Sequence, residues 1–274
     1  MGSRRIKQEV LALLALPDLD RISTEMRQYA EQDVVNPLFS ALSRSEEMLR
    51  WHAVSIFGQV VPRLADQDME AARIVMRRFL WSLNDESGGV GWGAPEAMAE
   101  IMLHHDKLAE EYLHMLLSYL HPDGPLEHQD GNFLELPALQ CGLLWGIGRL
   151  ASRLAPKLIS LGVVSDLLPY LQSEDGGVRG LGVWSIGVLL SARVAGSQRV
   201  VDALQADQRS EIETPVMVEG AVLNHSWTEE TIRNSMLLLA TDSSQLRLYQ
   251  QGQVRVVTVA ELVADALIQI NSPA

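Results

Sequence analysis

The chain is poor in several things at once. One cysteine in 274 residues excludes an internal disulfide, so nothing here calls for an oxidising compartment. That cysteine, Cys141, sits in the apolar run Gln140-Cys141-Gly142-Leu143-Leu144-Trp145 with no basic neighbour to lower its pKa, the setting of an inert buried thiol. Basic residues are scarce, 22 Lys and Arg against 35 Asp and Glu, and the net charge of −13 repels phosphate backbones. Nucleic acid is thereby excluded as a main partner, and the short stripe Arg73, Arg77, Arg78 reads as a solvated helix face. No uncharged apolar run approaches the ~20 residues of a membrane span. The N-terminal segment, Met1 to Leu16, carries Glu9 within a short apolar stretch and lacks a small-x-small cleavage site. Ile6, Val10, Leu13 and Leu14 fit an amphipathic first helix instead, and a cytoplasmic protein is expected.

What the chain does have is 47% hydrophobic residues, enough for a substantial core, arranged mostly at helical spacing. Asn36-Pro37 reads as an N-cap with Pro at the first helical position, and Ser45 as the cap of a longer helix lined by Leu49, Ala53, Ile56, Val60 and Leu64. Asp68 opens another. A helix from about Lys107 to Leu120 follows, and breakers fall at 84–93, 122–132 and 174–177.

These helices repeat. Arg50-Trp51-His52-Ala53-Val54-Ser55-Ile56-Phe57-Gly58 superimposes on Arg179-Gly180-Leu181-Gly182-Val183-Trp184-Ser185-Ile186-Gly187, with Arg and Gly eight apart in both. Gln140 to Gly148 is a third copy, its Trp145-Gly146-Ile147-Gly148 matching Trp184-Ser185-Ile186-Gly187 at an offset of 39. Ala94 to Met102 is a weaker fourth. Small residues inside such helices let neighbouring backbones approach closely, and an Arg at the helix start can reach carbonyls or carboxylates of the preceding turn. On these motifs, with Asp175-Gly176-Gly177-Val178-Arg179 as a repeat boundary, residues 45–205 resemble the HEAT-like (armadillo-type) repeat superfamily, particularly the bilin-lyase-type HEAT-like repeats and their bacterial relatives. The resemblance implies a mainly α fold, an α-α superhelix, spanning 1–210.

The C-terminal part, 211–274, is expected to be a small α+β cap on that stack. Leu246 to Gln250 and Gln253 to Val257 flank Gln251-Gly252 as a β-hairpin, and Thr258-Val259-Ala260-Glu261 is a capping box launching a helix. An upstream segment mirrors this at an offset of 32 (Gly220 with Gly252, Ser226 with Thr258, Glu229 with Glu261), so 215–225 is either a second hairpin or another helix.

No catalytic set assembles along the chain. The Gly-rich stretch Asn84 to Glu96 lacks a Walker lysine and a preceding strand, and Asp85 and Glu86 would repel a phosphate. It reads either as a tight inter-helix turn anchored by Trp92 or as a binding loop, and Trp81, Asp85, Glu86, Trp92 and Glu96 are the candidate partner-binding residues. His104, His105, His114, His121 and His128 are interleaved with Asp106, Glu110, Asp123 and Asp130, but without metal-ligand spacing or a His-Glu dipeptide. Around Ser185 the spacing is one residue too long for a nucleophile elbow. No metal or cofactor is expected. The expected function is a non-enzymatic scaffold, adaptor or chaperone-like protein that binds another protein. The alternative is a solenoid enzyme or cofactor-handling factor of the bilin-lyase kind, drawing on Cys141, the histidines or Asp85 and Glu86.

Overall fold

A computed structural model describes residues 2–84, 91–122, 132–195, 229–250 and 252–271. The fold is mainly α, helices packed in series, with a two-stranded sheet near the C-terminus. Two compact units divide the chain: Met1–Leu150 with Arg247–Val257, and Ala151–Leu246 with Thr258–Ala274.

The first unit holds α1 (Gly2–Leu14), α2 (Leu19–Met26), α3 (Glu31–Leu42), α4 (Glu47–Gln67), α5 (Met69–Leu83), α6 (Ala94–His104), α7 (Asp106–Ser118) and α8 (Pro137–Ser160) as far as Leu150. Helix α4 packs against α3, α5 and α6, and α6 against α7. Connections are minimal. Asp68 alone separates α4 from α5, and its carboxylate accepts the Ala71 N–H at 3.0 Å. His105 alone separates α6 from α7 and caps the latter, its Nδ1 accepting the Leu108 N–H at 3.2 Å.

Two helix starts differ from the sequence expectation. Helix α3 begins six residues before Pro37, which lies inside it. The acidic first turn, Glu31 and Asp33, favours that earlier start, and burial of Val34, Leu38 and Ala41 outweighs the hydrogen bond that Pro37 forfeits. Glu46, not Ser45, holds the N-cap position of α4, because the Ser45 hydroxyl is turned to the Glu46 carboxylate.

The repeated glycines are points of contact. A Cβ on Gly58 of α4 would lie 2.9 Å from the Glu100 Cβ of α6, and one on Gly146 of α8 would lie 3.0 Å from the Ala99 Cβ of the same helix. Aromatic rings tie the other layer: Phe39, Phe57 and Phe79 from α3, α4 and α5 meet at centroid distances of 4.6 to 5.0 Å.

Strands β1 (Gln245–Gln250) and β2 (Gln253–Thr258) form the expected hairpin, with Gly252 at φ +80°. Residues 247–257 of it belong to the first unit. There the Tyr249 ring stacks on Trp51 of α4 (centroids 4.6 Å, planes within 3°). The Tyr249 carbonyl accepts the Trp145 indole N–H at 2.9 Å, and its hydroxyl shares a hydrogen bond with Ser55 at 3.0 Å. Arg247 pairs with Glu47.

The second unit comprises the rest of α8, α9 (Val163–Leu167), a 3₁₀ turn (Leu168–Gln172), α10 (Gly176–Ala195), α11 (Glu229–Leu237) and α12 (Val259–Asn271). Helix α8 kinks at Leu154, two residues before Pro156, whose missing N–H and bulky ring break the ladder. Helix α10 packs on α12, with Gly187 against Ala266. The repeat arginine does what its position implies: Arg179 donates to the Ser173 and Glu174 carbonyls at 2.7 and 3.0 Å and pairs with Asp242 at 2.6 Å. Thr258 and Glu261 make the reciprocal capping box of α12 (2.7 and 3.2 Å). The possible second hairpin at 215–225 lies outside the described residues.

Candidate functional site

Helix α5 turns one face outward. Ile74, Arg77, Arg78 and Trp81 fall at i, i+3, i+4 and i+7, and the Trp81 side chain is 84% exposed. Apolar positions Ala72, Val75, Met76 and Phe79 face the core, so the helix is fixed by its other side. An exposed tryptophan forfeits the burial of a large apolar surface that nearly every other tryptophan obtains.

Trp81 forms one wall of a depression of about 320 Å³. The rings of Phe39 and Phe79 line it with Ser40, Leu42, Ser43, Ser82 and Ala94, the first residue of α6. Arg78 lines it too. Its guanidinium lies 3.7 Å from the centroid of the Phe39 ring and donates to the Asn36 amide oxygen at 2.7 Å. Partial burial on that ring lowers its pKa, which leaves the group fully charged at any physiological pH.

The end of the Gly-rich stretch is a turn pressed against α5. Ala94 N–H donates to the Gly91 carbonyl at 3.1 Å, Gly93 takes φ +80° to enter α6, and Pro95 follows in the first turn. A Cβ on Gly91 would meet the Ser82 carbonyl at 3.2 Å. Trp92, 49% exposed, lies beneath the Arg50 guanidinium, 5.8 Å from ring centroid to carbon. Glu96 turns inward from α6. Its carboxylate lies where a Cβ on Gly142 would be, at 2.6 to 2.7 Å, and Oε2 is sealed from solvent without a hydrogen-bond partner. Burial pushes the Glu96 pKa up to about 7, against a backbone hydrogen bond and the charge of Arg50. Nε of Arg50 is also sealed and unpartnered.

The structure thus brings Trp92, Arg50 and Glu96 together at the head of α6 and places Trp81 on the separate depression beside it. Asp85 and Glu86 lie outside the described residues. From the sequence Arg78 reads as part of a solvated basic stripe, and Phe39 is not singled out. The i, i+4, i+7 spacing of Ile74, Arg78 and Trp81 was the available signal, and it reads as an ordinary helix face until the core side is known.

Among the described residues the histidines do not converge; His128, Asp123 and Asp130 lie outside them. His104 Nδ1 bonds the Glu100 carbonyl at 2.8 Å, His105 caps α7, and His114 and His121 are exposed. Among the described residues no three His, Cys, Asp or Glu side chains gather where they could hold a metal ion. Ser185 is buried in the middle of α10. Among the described residues no single helix is long and apolar enough to cross a membrane.

No protein-family model matches the chain, and no curated protein matches it. Solved structures do. One, a designed armadillo repeat protein in complex with the peptide (KR)4, is 16% identical, with a TM-score of 0.45, over 96% of this chain and 98% of its own. A second, computationally designed for modular peptide recognition, is 14% identical, with a TM-score of 0.43, over 96% of this chain and 99% of its own. A third, an engineered protein, is 13% identical, with a TM-score of 0.46, over 98% of this chain and 58% of its own.

Proposed function

We propose that this chain is a non-enzymatic helical-repeat protein of the cytoplasm, a scaffold or adaptor that holds another protein through the Trp81 depression. The observation that carries this is the placement of Trp81. A side chain of the type most enriched in binding hot spots stands in solvent beside a concave, half-apolar surface. The neighbouring rings Phe39 and Phe79 are held by the core, so the surface is formed before any partner arrives. The single cysteine fits a reducing compartment.

Site-specific photo-crosslinking tests it. With p-benzoylphenylalanine in place of Trp81 in the native cell, one dominant protein adduct is expected. The same group in place of Leu238, exposed in the second unit, should not yield it. Equal adducts from both positions would overturn the assignment.

A further inference from the structure

Helix α5 carries three arginines, and two of them are neutralised within the fold. Arg73 makes a bidentate pair with Glu111 (2.8 and 2.6 Å) and also reaches Glu70 at 3.5 Å. Arg77 pairs with Glu70 at 2.6 Å. Arg78 has no carboxylate partner among the described residues; the amide oxygen of Asn36 is a neutral acceptor, and the Phe39 face offers only its quadrupole. In a chain with 35 acids to 22 bases, a guanidinium that lines a concavity with no carboxylate partner among the described residues is conspicuous. Its stem and plane are already fixed by the ring beneath and by Asn36, so little side-chain freedom remains to be lost when an anion arrives.

We infer that the depression recognises a partner segment in which one Asp or Glu side chain sits next to a bulky apolar one. The carboxylate takes the free N–H donors of Arg78, and the apolar side chain covers Trp81. This rests on the reading of the depression as a protein-binding site and adds the chemistry it selects. One guanidinium matches one carboxylate in charge and in its paired donors. A phosphate of charge near −2 would be left half neutralised by the single guanidinium. The chain's charge of −13 further requires that the segment carry few other acids.

Selection of a displayed random dodecapeptide library on the full chain tests this. Recovered peptides are measured against wild type, Trp81→Ala and Arg78→Gln, each variant first checked for an unchanged melting temperature. The expected result is a recurrent acid beside an apolar residue. Binding should fall about tenfold on Arg78→Gln and equally on changing the peptide's acid to its amide, with no further loss when both changes are combined. The peptide change leaves the protein untouched, so the prediction survives even if Arg78→Gln unfolds. Peptides that need Trp81 but contain no acid, or are indifferent to Arg78→Gln, overturn the inference and leave the binding site standing. Peptides indifferent to Trp81→Ala, or no recovery at all, overturn both.

Discussion

Trp145 and Trp81 show two uses of one residue type. Trp145, 2% exposed, is touched by the rings of Trp51 and Tyr249, and its indole N–H has an acceptor in the Tyr249 carbonyl. Trp81 has none of this and stands in solvent beside charged neighbours. Both lie on amphipathic helices of the first unit, so helix formation does not separate them. The difference is what the rest of the chain supplies: a hairpin lies on the first and nothing in the described residues lies on the second. Stability therefore belongs to the inner cluster, and the outer tryptophan is free to serve something else.

The sharpest way to test that division is to empty the inner site. Trp145→Ala removes a fully buried ring at the meeting point of α4, α8 and the hairpin and leaves the Tyr249 carbonyl without its donor. A loss of about 4 kcal/mol is expected, read as a lowered urea midpoint at unchanged slope. A loss under about 1 kcal/mol would mean that the hairpin is dispensable to the first unit and that the two tryptophans are not as different as their burial implies.

Glu96 breaks the simple opposition of buried and exposed, because the residue is half-buried while its Oε2 is sealed from solvent without a partner. One turn along α6, Glu100 is 5% exposed and held by Arg149 through two contacts, at 2.5 and 3.2 Å. Glu96 has a backbone hydrogen bond and the charge of Arg50, whose guanidinium lies over the Trp92 ring, and its Oε2 is left without a partner. A folded pKa of about 7, above the ordinary 4.5, means that the native state holds a proton which the unfolded chain has released between those values. Stability from this group is thus full below pH 4.5, is lost as pH rises towards 7, and stays lost above. Glu96→Gln removes the penalty. The variant should match wild type near pH 5 and exceed it by about 2 kcal/mol at pH 8, somewhat less than the full shift would give at ~1.4 kcal/mol per unit. Unfolding curves of the two proteins that run parallel from pH 5 to 8 would remove Glu96 from the buried class.

The helix series and its repeat were legible because they are written in local terms: Arg50 and Arg179 eight residues before Gly58 and Gly187, breakers between, Thr258 and Glu261 three apart. The cap of α5 and the hairpin were legible for the same reason. The start of α3 was not, since proline marks helix starts on average and only the burial of Val34 and Leu38 reveals that this helix runs through one. Of the site, Trp81 and Trp92 could be singled out as tryptophans near a Gly-rich stretch. What could not be seen was the partnership of Arg78 with Phe39 and Asn36, residues about 40 positions away. Nor could the sequence show that Tyr249, 104 residues beyond Trp145, would satisfy its indole. Such pairings are decided by which helix stacks on which.

The smallest expected effect on stability is the one that matters most for function. Trp81→Ala removes a ring that is mostly solvated in the native state and solvated in the unfolded one, so little transfer free energy is at stake, and alanine has the higher helix propensity. The melting temperature should move by no more than the equivalent of about 0.5 kcal/mol in either direction. A larger loss would show that the ring is held by the fold, and the depression would then have lost its most informative wall. An unchanged melting temperature leaves a tryptophan that the folded chain does not need for itself, as the proposed seating of a partner's side chain on the Trp81 face requires.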